Sequence, residues 1–441
     1  MKARLVPLHF GPEQDADFIA QVGRLRDLLR DDAEILDPAP LGAALGDFDA
    51  DAAVFPQLLG DAYRRVPAFK ALELPILVIT SEFGTMSMWD WEIISYLAAE
   101  GVSVVAPYSL EQARTACRAL AVRRDLAGAK FLVFQDNPGD GAQADIFKRF
   151  YWWEDECTAR MLDRFGLTIE KRSFRELGAE ALAIPDGEAQ EIWAHWQGRL
   201  NLALPTRATL SALKLYIAVK RALEGDDRIR AMGINCLNES HFSDTTPCLA
   251  WNMLYEERGL IWGCEADTVS MLTKHIVHKS LSVPIMMTNL YPFLMGQAAL
   301  KHERIPHFPD VEEPEDHILA AHCGYLGVLP QSFSTEWTLR KKVLAIVDPN
   351  ANAIDARLPE GPMTLAKLHA GFDKMTVAEG QLAGYAQYPG SDCLNGAVLK
   401  VADGHKMMRT LSSHHYLLTT GHNLPGLRLL AQVFNLGIET I

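Results

Sequence analysis

The feature that most constrains this chain is the alternation, through its first part, of short β-branched runs with amphipathic helical stretches. ARLVPLHF (3–10), PILVITSEF (75–83) and VSVVAPY (102–108) read as strands. A helix opens at Gly11-Pro12 and runs to about Arg30, and another covers WDWEIISYLAAE and stops at Gly101. Ser109, with Gln112 three residues on, has the spacing of a capping box and starts a third helix. Strands alternating with helices imply a parallel sheet covered on both faces.

A second α/β unit begins at LAGAKFLVFQDNPGDG (126–141). LTIEKRSF (167–174) reads as a strand and TRATLSALKLYIAVKRALEG (206–225) as a helix ending on Gly225. Strand–helix units follow whose strand ends carry polar chemistry. AMGINCLNE ends in Glu239, LIWGCEAD in Asp267 ahead of a helix through His278, and HILAAHC (317–323) in His322-Cys323. Beyond about residue 326 the texture changes to β-like segments separated by Gly, Pro and Asn, among them TLRKKVLAIVD, GPMTLAKLH and GAVLKVADG. The expected fold is α/β: two Rossmann-like parallel-sheet domains (1–125 and 126–325), then a C-terminal antiparallel β-barrel-like domain (326–441) with a terminal helix.

Composition narrows the function. The chain has 441 residues, with 42 Lys and Arg against 56 Asp and Glu, for a net charge of −14. An acidic balance argues against nucleic acid or an anionic membrane surface as partner. The seven cysteines (117, 157, 236, 248, 264, 323 and 393) form no CxxC and are odd in number, which suggests reduced thiols in the cytoplasm. The greasiest stretch, LSVPIMMTNLYPFLMGQAAL (281–300), is broken by Pro284, Asn289, Pro292 and Gln297 and reads as buried core.

Several motifs have plain readings. GDGAQA (139–144) follows a strand and matches a relaxed dinucleotide fingerprint, but no acid ends the next strand, since Glu170 falls within it; a turn is the simpler reading. KHERIPH (301–307) has one residue too many for HExxH and a proline at 306. His275 and His278, at i,i+3 on a helix, could pair on a metal, although such histidines are more often interhelical.

The strand ends carry more. In open parallel sheets, ligands bind outside the carboxyl ends of the strands. Glu239, Asp267 and His322 occupy such ends, and converging carboxylates with a histidine suit an oxygen-preferring divalent cation such as Mn²⁺ or Mg²⁺. The competing reading makes each acid a helix cap.

Three segments resemble the L-fucose/L-arabinose isomerase superfamily, especially its shorter fucose-isomerase-like members. INCLNES (234–240) resembles the strand ending in a catalytic Glu, here Glu239. RGLIWGCEADTVSMLT (258–273) resembles the segment with a metal-binding Asp, here Asp267, and Glu265 is a rival ligand. LSSHHYLLTTGHNLPGLRLLAQVFNLGIETI (411–441) resembles the C-terminal segment, which puts the metal-binding His at His415, seven before His422. The family's usual Pro before the catalytic Glu is Asn238 here.

The resemblance implies a metal-dependent aldose–ketose isomerase that acts on a sugar through a cis-enediolate. Mn²⁺ (or Mg²⁺ or Co²⁺) would sit on Glu239, Asp267 and His415, with Glu239 and Asp267 also the acid/base pair and His322 and His422 contacting the sugar. It further implies a homo-oligomer, trimer or hexamer, with an aromatic residue from a neighbouring subunit over the sugar. Trp89, in TSEFGTMSMWDWE (80–92) with Trp91, is that residue here, although exposed tryptophans also serve plain interfaces. Alternatives on the same scaffold are a metal-dependent epimerase or lyase acting on a related polyol, and a non-catalytic sugar-binding protein.

Overall fold

The structure is a computed structural model that describes residues 1–43, 48–58, 60–136, 154–236, 239–284, 286–293, 310–322, 329–343, 348–387, 391–392 and 395–441. GDGAQA, KHERIPH and Asn238 lie outside the described residues. The chain divides into two compact units. The first comprises Met1–Ala127, Lys279–Ser282 and Pro425–Gly437, and the second Gly128–His278, Val283–Leu424 and Ile438–Ile441.

The first unit holds β1 (Ala3–His9), β2 (Ala33–Ile35), β3 (Ala39–Pro40), β4 (Ala52–Phe55), β5 (Ile76–Val78) and β6 (Val104–Val105). Every pairing is parallel, in the order β2-β1-β4-β5-β6, with β3 beside β1. That is a doubly wound sheet whose order reverses between β1 and β4. Buried Val6, Leu8, Phe55, Phe69, Val78 and Leu97 fill its core. Ser109 caps its helix as expected, while the Gln112 side chain reaches back one residue beyond the cap. Ser109 Oγ accepts from the Gln112 amide at 3.2 Å, and Gln112 Oε1 accepts from the Tyr108 amide at 2.7 Å.

In the second unit β7 (Lys130–Phe134), β8 (Thr168–Arg172), β10 (Ile229–Ile234) and β11 (Ile261–Cys264) make a parallel sheet in the order β11-β10-β7-β8. The register aligns Phe134, Ile234 and Cys264, so the carboxyl ends of three neighbouring strands form one edge. Two further strands after this sheet, β14 (Glu336–Lys341) and β15 (Asn352–Arg357), pair antiparallel, and β9 (Leu202–Ala203) adds parallel to β14.

A closed six-stranded antiparallel barrel completes the unit. Its strands are β12 (Met286–Pro292), β13 (His317–Ala321), β16 (Gly361–Leu368), β17 (Lys374–Ala386), β18 (Gly396–Val401) and β19 (His415–Thr420). The ring runs β16-β19-β12-β13-β18-β17 and returns to β16. Two expectations change here. The barrel begins at Met286, well before residue 326, and HILAAHC is a barrel strand rather than a member of the parallel sheet. A short apolar run has the same pattern in either setting, and its partners (β12 and β18) are set by distant chain. Among the described residues, no helix is long and apolar enough to cross a membrane.

Candidate functional site

The carboxyl edge of the second parallel sheet and the barrel strands β16 and β19 supply one buried polar cluster. At its centre is Asp267, between β11 and the helix Thr268–Leu281. Two consecutive non-glycine residues, Glu265 and Ala266, adopt left-handed φ values of 55° and 56° to turn the chain there. Such a conformation costs about 1–2 kcal/mol per residue, so the turn is held by what it positions.

Asp267 caps its helix, the competing reading of the sequence, and also joins a buried charged cluster. Its Oδ1 accepts from the Ser270 amide at 2.7 Å, which makes it the cap of the helix. Its Oδ2 accepts from Ser270 Oγ at 2.7 Å, from His415 Nδ1 at 2.9 Å and from the Lys367 ammonium at 3.1 Å. Lys367 also donates to Ser270 Oγ at 2.5 Å. Asp267, His415 and Lys367 are all within 1 % of full burial. Burial opposes the charge on Asp267, but the Lys367 ammonium and the hydrogen bonds from His415 and Ser270 outweigh it and hold the carboxyl below its usual range. Burial pushes the Lys367 amine down, against the pull of Asp267.

Glycines make room for this turn. A Cβ on Gly263 would stand 2.5 Å from Met271 Cγ and 2.9 Å from the Asp267 carbonyl oxygen. Gly263→Ala is therefore expected to cost about 1–3 kcal/mol, read as a fall in the urea midpoint at unchanged slope. An unchanged midpoint would mean that the turn relaxes freely.

Glu239 is 2 % exposed, and both of its carboxylate oxygens lie on the Asp136 amide, at 2.8 and 3.0 Å. Asp136 is in turn fixed by Ser173 Oγ at 2.7 Å and the Arg175 amide at 2.9 Å. His322 follows β13, and its ring lies 5.5 Å from that of His415. The cation that the resemblance implies does not fit its expected ligands as they stand. Asp267 Oδ2 already has three donors and Glu239 lies on the Asp136 amide, and the three residues do not form one converging donor group among the described residues. The group whose donor atoms all fall within 4.8 Å of one another, among the described residues, is Cys264, Glu265 and His322.

Other expected residues fall outside the cluster. His422 is at the opposite end of β19 from His415, exposed, with Nε2 3.2 Å from the Gly380 carbonyl. A six-residue strand at about 3.3 Å per residue keeps the two apart. His278 is interhelical: Nε2 lies 3.1 Å from Tyr255 Oη and Nδ1 2.9 Å from the Val283 carbonyl, while His275 packs its ring 5.9 Å from that of Phe131. Trp89 belongs to the first unit and is 81 % exposed, beside half-exposed Trp91.

Two lysines buried among the described residues were missed. Lys367 is the single charge in the strand MTLAKL, and an inward lysine in an apolar alternation was the available signal. Lys274, on the apolar face of its helix, is fully buried with Nζ 4.2 Å from the Trp262 ring centroid and no hydrogen-bond partner among the described residues. Burial brings its pKa down to about 7.

The histidines give the site a pH dependence. Burial lowers His414 to about 4 and holds His415 well below its ordinary value. Unfolded histidine titrates near 6.5, so between that pH and about 4 the unfolded chain binds the extra protons. The histidines' share of stability is then full above about pH 6.5 and falls as pH drops, by at most about 3 kcal/mol for His414. Urea midpoints that stay level from pH 7 to pH 4.5 would contradict this, and His414→Gln should flatten the profile.

Searches against models of protein families and against curated proteins found no match to the chain.

Proposed function

We propose that the protein is a metal-dependent aldose–ketose isomerase acting on a linear sugar or sugar derivative. The observation that carries this reading is the meeting of Asp267 and His415. They come from two of the resembling segments, 148 positions apart, yet hydrogen-bond at 2.9 Å in full burial. A carboxylate that fixes an imidazole in one tautomer is a proton-handling pair.

In this reading the Glu239 carboxylate takes the proton from the carbon beside the carbonyl and returns it to the former carbonyl carbon. His415, seated by Asp267, takes the proton of the neighbouring hydroxyl and delivers it to the carbonyl oxygen, and Lys367 holds Asp267 ionised. A divalent cation such as Mn²⁺, when bound, would supply charge to stabilise the enediolate. The partners of this reading are a small sugar and further copies of the chain, with Trp89 over a neighbour's sugar, and the compartment is the cytoplasm.

The test is turnover of aldoses by Mn²⁺-loaded protein in D₂O. Solvent deuterium on the product carbon beside the carbonyl supports proton transfer. Product without deuterium points to a hydride shift, and absence of any ketose product sinks the reading. A monomer by light scattering at micromolar concentration would remove the shared site.

A further inference from the structure

We propose that Lys274 is a proton-operated latch between the helix Thr268–Leu281 and barrel strand β16: with its amine neutral the helix packs tightly, and with the amine charged that contact loosens. Lys274 and Ser270 stand at i,i+4 and share one face of the helix. That face meets the barrel. Ser270 Oγ accepts from the Lys367 ammonium, and Thr273 Oγ1 accepts from the Leu368 amide at 3.2 Å, both from β16. Helical side chains lean toward the N-terminus, so the Lys274 stem carries its nitrogen back toward the end of β11. There it stops 4.2 Å from the centroid of the Trp262 ring, at 0 % exposure. Among the described residues the amine has no hydrogen-bond partner.

The titratable groups that act on Lys274 are Cys264 from β11, Asp267 from the turn and Lys367 from β16. His275 and His278, on its own helix, turn away to Phe131 and Tyr255. The indole face and Asp267 favour the ammonium. Burial and the Lys367 ammonium oppose it, and Lys367 already holds the carboxylate at 3.1 Å. Two lysines thus face one carboxylate, which can neutralise one of them. The balance for Lys274 falls at about 7. Without its extra proton the side chain is a slim unbranched stem against an indole, packing much as methionine does. With it, an unpaired cation lies between helix and barrel, and opening that contact to water relieves the cost.

The sign of the effect is fixed. Unfolded lysine titrates near 10.4, so above about pH 7 the unfolded chain binds the extra proton and the fold gains stability as pH rises. Buried thiols act the other way, since Cys117 and Cys157 are held protonated in the fold and ionise on unfolding from about pH 8.5. The lysine is therefore read between about pH 7 and 8.5, a window the histidines have already left. The latch does not depend on the isomerase reading.

The test is urea unfolding and hydrogen exchange of the full, reduced chain across that window. The unfolding constant of the parent, relative to Lys274→Met, should fall by up to about tenfold per pH unit. Exchange in peptides covering Thr268–Leu281 and β16, corrected for the intrinsic rate, should slow from pH 7 to pH 8.5 in the parent and not in the variant. Peptides covering β1 of the first unit should not change in either. Parallel pH profiles for parent and variant, or exchange that slows equally in β1, would overturn the proposal. Lys274→Gln takes the place of Lys274→Met if the latter does not fold. In the parent itself, carbon-13 spectra of lysine labelled at Cε should show a lysine titrating near neutrality, and the absence of one overturns the latch whatever the variants do.

Discussion

Asp267→Asn is expected to destabilise the protein by about 3–5 kcal/mol as well as to end turnover. By size alone the substitution is nearly isosteric and should spare the fold. The surroundings of Asp267 say otherwise, because its carboxylate faces the Lys367 ammonium at 3.1 Å with both groups buried. Asparagine leaves that lysine in low dielectric with no opposite charge, and it also removes the acceptor that orients His415. A second change separates the two losses. Lys367→Met in the Asp267→Asn background removes the stranded charge at similar volume and should restore most of the stability while turnover stays lost. If urea midpoints of the single variant match the parent, Lys367 is neutral in the folded protein and the pair is not ionic.

Glu239→Gln should act in the opposite sense, on rate and not on fold. The amide oxygen of glutamine can still accept from the Asp136 amide, so the hydrogen bond that seats this side chain survives. Glutamine cannot take a proton. On the isomerase reading, kcat for the best aldose therefore falls about 10²–10⁴-fold, with KM and the urea midpoint changed little. Wild-type kcat in this variant would remove Glu239 from the chemistry. A parallel loss of stability would make it a structural carboxylate instead.

The sequence made the architecture legible where periodicity is local. The strand–helix alternation, the Ser109 cap and the β-rich C-terminal part all follow from neighbouring residues. What it could not show is pairing across distance. HILAAHC looks the same whether it lies in a parallel sheet or a barrel wall, and only the register with β12 and β18 decides. The site divides along the same line. Asp267 was readable as chemistry on a strand end and His415 from the resemblance of its segment, and they meet. Glu239 was readable too, but its hydrogen bonds run to Asp136, which no spacing rule connects to it. Lys367 was hidden because its significance lies in a partner 100 positions away. His422 lies apart from the cluster for a simpler reason, since it follows the far end of the strand that His415 begins.

The closure of the barrel has a consequence for how this protein is made. β19 is the last barrel strand in the sequence, yet it inserts between β12 and β16 and carries His415. While a ribosome has yet to reach residue 415, β12 and β16 each lack a neighbour, and the nascent sheet presents two open edges of the kind that invite pairing with other chains. Asp267 by then has its lysine within reach but no imidazole. The barrel therefore stays unsealed from its first strand to its last, and a single late strand closes it and brings His415 to Asp267.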